Sequence, residues 1–148
     1  MKIFNRRARA NYHLLETLEA GIVLSGPEVK SIRAGKVDLS ESFARVQNEE
    51  VFLKNAYIFP YNGQGKEYDP KRDRKLLLHK EEIKRLLGKI SGSATTLIPV
   101  SLYTKRNLIK VELALAASKK KYDKRRAIKE RDQLRKIEHE LKDEQEQR

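Results

Sequence analysis

Residues 95–116 read TTLIPVSLYTKRNLIKVELALA. Ile109, Val111, Leu113 and Leu115 alternate with Lys110, Glu112 and Ala114, the period-two pattern of a strand with one face in a core and the other turned outward. The short polar link TKR (104–106) makes TTLIPVSLY and NLIKVELALA the two arms of a hairpin. Pro99 has no N–H to donate to a ladder, so it belongs at an edge or a bulge.

Upstream, Tyr12, Leu14, Leu18, Ala20, Ile22 and Leu24 fall on even positions, which predicts another strand with one buried face; a helical reading of Leu14, Leu15 and Leu18 stays open. Gly21 inside it suggests a bulge or a close backbone approach. SGPEVKSIRAGK (25–36) carries helix punctuation: Ser25 or Gly26 to cap, Pro27 in the first turn, Glu28 at the positive end of the dipole and Gly35 to stop it. SFARV (42–46) and VFLKNAYIF (51–59) read as strands joined by a tight turn at QNEE, and PYNGQGKEYDPKRDR (60–74) as a loop. In HKEEIKRLLGKI (79–90), Ile83, Leu86, Leu87 and Ile90 share a helical face, with Glu81 four residues before Arg85 outside it. Strands dominate and links are short, so the expectation is a mainly β fold: a small antiparallel OB-like barrel, residues 1–118, with two or three flanking helices.

Residues 119–148 form a different unit. The stretch 119–136 holds ten basic and three acidic groups, whereas 137–148 holds two basic and five acidic. Ile128, Leu134, Ile137 and Leu141 make only a thin apolar stripe, too little to offset ordering entropy, so this basic C-terminal tail is expected to be disordered when free and helical against a partner.

Thirty-three Lys and Arg against 21 Asp and Glu, a net charge of +12, point to a polyanionic partner. With no cysteine there is no disulfide frame or thiolate metal site, and no apolar run reaches the ~20 residues of a membrane span, so a cytoplasmic protein without a membrane partner is expected. His13, His79 and His139 lack metal-ligand spacing, and no nucleophile elbow, phosphate loop or dinucleotide fingerprint occurs; the expectation is a non-enzyme without cofactor. Basic clusters NRRAR, KSIRAGK, KRDRK and KKKYDKRR suit phosphate, and Tyr12, Phe43, Tyr57, Phe59, Tyr61, Tyr68 and Tyr103 supply rings of which most belong to a core and a few to base stacking. RNA is favoured over DNA because no helix offers a recognition face for the major groove.

NRRAR, EAGIVLSGPEVKSIRAGKVDL, DPKRDRKLLLHKEEI and KKKYDKR, in that order from Asn5 to about Arg131, resemble the SmpB family, small protein B, which binds transfer-messenger RNA. The resemblance implies an OB-like barrel on the tRNA-like domain of tmRNA and delivery of that RNA to stalled ribosomes in trans-translation. It implies a tail in the empty mRNA channel near the decoding centre, against small-subunit rRNA, and indirect work with elongation factor Tu and alanyl-tRNA synthetase. By motif, Glu19, Leu77 and His79 belong to the tmRNA-facing surface. Asn5, Arg6, Arg7, Arg9, Lys30, Arg33, Arg74 and Lys75 are candidates for phosphate contact, and Lys119, Lys120, Lys121, Tyr122, Lys124 and Arg125 for the ribosome-facing tail. Where the family usually has glycine before the lysine run, this chain has Ala116, Ala117 and Ser118. The competing expectation is a structural ribosomal protein or a general single-strand RNA chaperone.

Overall fold

The computed structural model describes residues 1–92, 94–119, 129–139 and 141. In chain order its elements are β1 (Lys2–Phe4), α1 (Arg6–Asn11), β2 (Tyr12–Ile22), α2 (Gly26–Arg33), β3 (Val37–Asp38), β4 (Phe43–Gln47), β5 (Glu50–Lys54), β6 (Tyr57–Ile58), β7 (Arg74–Leu77), α3 (Lys80–Ser91), β8 (Thr95–Lys105) and β9 (Leu108–Ser118).

Hydrogen bonding runs β8-β4-β5-β7-β2-β9 and then from β9 back to β8, so six antiparallel strands close on themselves. Closure removes the open edges that invite foreign strands, and it bears out the expected small barrel. β1 adds to β8 beyond the point where β4 leaves it, and β3 pairs with β6 in a separate ribbon. The interior holds Ala20, Val51, Leu53, Leu76, Leu97, Leu102, Val111 and Leu113, joined by Ile32 of α2 and Leu86 of α3.

The hairpin of 95–116 forms as read, but its turn is Arg106-Asn107, not 104–106. Both residues have positive φ (51° and 62°), as a two-residue turn matching strand twist requires. Gln47 and Glu50 are likewise joined through Asn48 and Glu49 at φ 51° and 64°. Pro99 sits where the β8–β9 register shifts by one residue, the bulge its missing N–H predicts. Val100 is the extra residue, and its carbonyl accepts from the Asn5 N–H at 2.8 Å.

A second bulge, between Leu14 and Glu16, corrects the reading of β2. The even-numbered apolar residues do not share one buried face: Leu18, Ala20 and Ile22 face the barrel core, whereas Tyr12 and Leu14 lie outside it against Ile98, Val100, Ala114 and Ala116. Ala8 of α1 covers that outer patch, which is why β9 changes from charged to small outward residues after Glu112. Sequence reading foresaw neither β1 nor α1.

It also missed β7. The expected loop 60–74 ends one residue early, at Asp73, and Arg74 begins a strand. The run 51–59 breaks instead at Asn55, whose φ is 61°. In α2, Ser25 caps with a reciprocal box to Glu28, and Gly35 follows at φ 75°. In α3, Ile83 and Leu86 are buried, but Leu87 is exposed. Arg85 pairs not with Glu81 in its own helix but with Glu16 of β2 at 2.7 Å, beside Lys89 on the same carboxylate.

Candidate nucleic-acid interface

Because Ile3, Leu102, Val111, Ala20 and Leu76 point inward, their strand neighbours point out, and the register aligns those neighbours across five strands. In one row Phe4 faces Ser101, Ser101 faces Glu112 and Glu112 faces Glu19. In the next, Lys2 faces Tyr103, then Lys110, Gly21 and Leu77 follow strand by strand. At ~4.8 Å per strand the second row spans about 19 Å. Lys75, two residues before Leu77, and Lys105, two after Tyr103, extend the same face.

Glu19 is the hub of this face. The Tyr103 hydroxyl donates to it, and Lys105 Nζ lies 3.4 Å away. The hydrogen bond from Tyr103, with Lys105 and Lys110 adding to it against some desolvation, holds the Glu19 carboxyl below its ordinary pKa, so it is ionised at neutral pH. Burial, and then the Glu19 charge, raise the Tyr103 phenol, which keeps it a donor. Such a carboxylate within a cationic surface accepts hydrogen bonds from nucleobase amino groups or ribose hydroxyls, which lysine and arginine cannot do.

At Gly21 a Cβ would lie 3.2 Å from Leu77 Cβ, so the crowding there comes from the Leu77 side chain and not from the bulge or close backbone approach that the sequence suggested. Leu77 stands exposed beside it, and His79 follows as the N-cap of α3, its backbone N–H donating to Glu82 at 3.2 Å. Glu19, Lys75, Leu77 and His79 therefore gather in one region. Arg33 reaches it from α2 and donates to the Asn107 carbonyl at 3.3 Å; Lys30, one turn earlier, lies over the Tyr61 ring. Arg6, Arg7 and Arg9 are exposed on α1; Arg9 lies over the ring of Phe4 in the face, and Arg7 is 3.4 Å from Glu41.

Two expected phosphate contacts are structural instead. Arg74 is wholly buried. Its Nε and Nη2 donate to Glu28 at 2.9 and 2.7 Å, Nη1 donates to the Ala56 carbonyl at 2.6 Å, and Nη2 also donates to Pro70 and Tyr68 at 3.0 Å. With no exposed surface, Arg74 cannot reach a phosphate. Asn5 is buried too: its amide donates to Leu39 and Pro99 at 3.1 and 2.8 Å, and its oxygen caps α1 at Ala8. Both corrections have one cause: a basic or amide side chain in a charged stretch reads as surface unless its distant partners are known.

The partner that sequence reading undervalued is Glu28, also wholly buried. Burial pushes its pKa up, but hydrogen bonds from Arg72, the Ser25 N–H and Arg74 outweigh that and bring it down to about 2. Tyr68 donates to it as well, at 3.1 Å. This cluster ties α2 to β7 and to the 60–73 segment, and so fixes where Lys30, Arg33 and Lys75 stand. Lys2, Phe4, Lys105 and Lys110 are face residues absent from the sequence-based candidates; for Lys110 the outward alternation of β9 was the available signal.

Of the tail candidates, Lys119 is half-buried at the root, one residue after β9, while Lys120, Lys121, Tyr122, Lys124 and Arg125 lie outside the described residues. Residues 129–139 are helical, with Leu134 and Ile137 exposed. No described helix is long and apolar enough to cross a membrane.

Comparison with known proteins gives consistent matches. Relatives named SsrA-binding protein are 53% identical in Persephonella marina, over 90% of this chain and 88% of that one, and 55% identical in Caldicellulosiruptor bescii, over 94% and 89%. A chain from the solved structure described as "tmRNA-SmpB: a journey to the center of the bacterial ribosome" shares 53% identity with a TM-score of 0.67, covering 80% of this chain and 84% of that one. A family model described as SmpB protein spans residues 2–143, and with relatives this similar over nearly their whole length the chain belongs to the SmpB family.

Proposed function

We propose that the protein binds tmRNA and brings it to stalled ribosomes for trans-translation. The observation that carries this reading is the outer barrel face: an ionised Glu19 held by Tyr103 and Lys105, next to Lys75, Leu77, Lys110 and His79, in a chain 53% identical to one solved in a tmRNA–SmpB structure. Cations at the rim neutralise phosphate, and the carboxylate tests for donors on a folded RNA. The flanking arginines of α1 and Arg33 of α2 widen the electrostatic contact.

In this reading the division of labour is spatial. The barrel holds the tRNA-like part of tmRNA, and residues 119–148 leave β9 at Ser118 to reach small-subunit rRNA at the decoding centre and the vacant mRNA channel. The basic half of the tail, 119–136, supplies the attraction to phosphate. Elongation factor Tu and alanyl-tRNA synthetase act on the same RNA, the protein itself does no chemistry, and the setting is the cytoplasm.

Sequencing the RNA that copurifies with the protein tests this. One structured, tRNA-like species should dominate; ribosomal or heterogeneous RNA would replace the reading with a structural ribosomal protein or a single-strand chaperone.

A further inference from the structure

At the β1 edge of the outer face an exposed aromatic ring has two cations close to it. Phe4 is 49% exposed. Lys2 Nζ lies 5.2 Å from its centroid and the Arg9 guanidinium carbon 5.5 Å. Lys2 is also 5.8 Å from the centroid of Tyr103, whose hydroxyl donates to Glu19. Arg9, Phe4, Lys2, Tyr103 and Glu19 thus form a continuous ladder from α1 to the hub of the face.

The ring's direction is set by the strand: Ile3 enters the core, so Lys2 and Phe4 must turn outward. Nothing in the core requires a large ring there, and cation–π contacts in water are weak, so they do not account for the side chain by themselves. An unpaired nucleobase does fit all three groups. Its π-face stacks on the phenyl ring in place of a cation now lying over it, and Lys2 and Arg9 turn to the phosphates on either side of the base.

We infer that Phe4 is a stacking platform for one unpaired base of the bound tmRNA, with Lys2 and Arg9 as the cations for its flanking phosphates. The inference rests on the reading of the outer face as the tmRNA site. It assigns the base to tmRNA and not to ribosomal RNA because the ladder runs into Tyr103 and Glu19, whereas the tail leaves from Ser118, opposite Tyr12 at the far end of β2. Stacking tolerates any base, so this position adds affinity without reading sequence.

The chain contains no tryptophan, so Phe4→Trp creates a single fluorescent reporter at the proposed platform. Titrated with tmRNA, its emission should be quenched, with a midpoint equal to the affinity from gel shift. Phe4→Ala should weaken tmRNA binding by about 5- to 150-fold while the slope of log affinity on log salt stays unchanged. Lys2→Gln and Arg9→Gln should each flatten that slope by roughly 0.7–0.9. If Phe4→Trp binds tmRNA normally with unquenched emission, or Phe4→Ala binds as the wild type does, the platform is overturned while the tmRNA reading stands. Quenching by ribosomal RNA alone would overturn the assignment to tmRNA. Failure of the unaltered protein to shift tmRNA would instead remove the reading on which the inference rests.

Discussion

Replacing Arg74 separates a buried strut from a phosphate contact. Arg74→Gln removes two donors to Glu28 and leaves the Ala56 carbonyl short of a partner, while the Pro70 carbonyl keeps the Ile58 N–H at 3.0 Å. Glu28, with no exposed surface, then keeps Arg72, Tyr68 and the Ser25 N–H only. Breaking one side of a buried ion pair costs about 3–5 kcal/mol. Against a typical domain stability of roughly 5–15 kcal/mol, that is a large share. Arg74→Lys keeps the charge but not the planar fork, and should cost about 1–3 kcal/mol for the orphaned Ala56 carbonyl. Urea unfolding followed by circular dichroism reads both, as a lower midpoint at constant m-value. Under folding conditions the salt slope of tmRNA binding should match the wild type in both variants, because no phosphate contact is lost, and affinity should fall only as far as α2 and β7 shift Lys30, Arg33 and Lys75. A slope flattened by about 0.7–0.9 with an unchanged unfolding midpoint would show that Arg74 meets phosphate, and would refute the structural role.

Other consequences can be checked separately. Glu28 titrates near 2 when folded and near its ordinary 4.5 when unfolded, so its contribution is complete above pH 4.5 and lost as pH falls toward 2. The loss should be about 3 kcal/mol across that window, and it should be absent from a Glu28→Gln protein in urea titrations at stepped pH. Gly21→Ala places a methyl group 3.2 Å from Leu77 Cβ; expected are a stability loss of about 1 kcal/mol and weaker tmRNA binding as Leu77 is displaced, both measurable on one preparation. Arg7→Ala and Arg33→Ala should each flatten the salt slope of tmRNA binding by roughly one unit without changing the unfolding midpoint; an unchanged slope removes that residue from the interface.

What was legible in the sequence depended on how local its cause was. The 95–116 hairpin, the caps of α2 and the apolar face of α3 rest on neighbours a few residues apart, and all three formed, the last without Leu87. Elements that exist only through distant partners were not legible. α1 has one buried residue, Ala8, and owes its place to an outer patch built from β8 and β9. β7 begins with an inward-pointing arginine, which breaks the apolar-in pattern until Glu28, 46 residues away, is placed opposite it. The bulge at Leu14–Glu16 concealed a change of face because even-numbered residues stay apolar on both sides of it. For the candidate interface, Glu19, Leu77 and His79 came through family resemblance and Lys75 through its basic cluster. Lys2 and Phe4 depend on a three-residue strand that only cross-strand register identifies.

If the barrel grips tmRNA and the tail serves the ribosome, as proposed, a protein ending at residue 118 separates the two most directly. Its tmRNA affinity by gel shift should stay within a few-fold of the full chain, while peptide tagging on ribosomes stalled without a stop codon should be abolished. Loss of tmRNA binding on truncation, or tagging that survives it, would contradict that division.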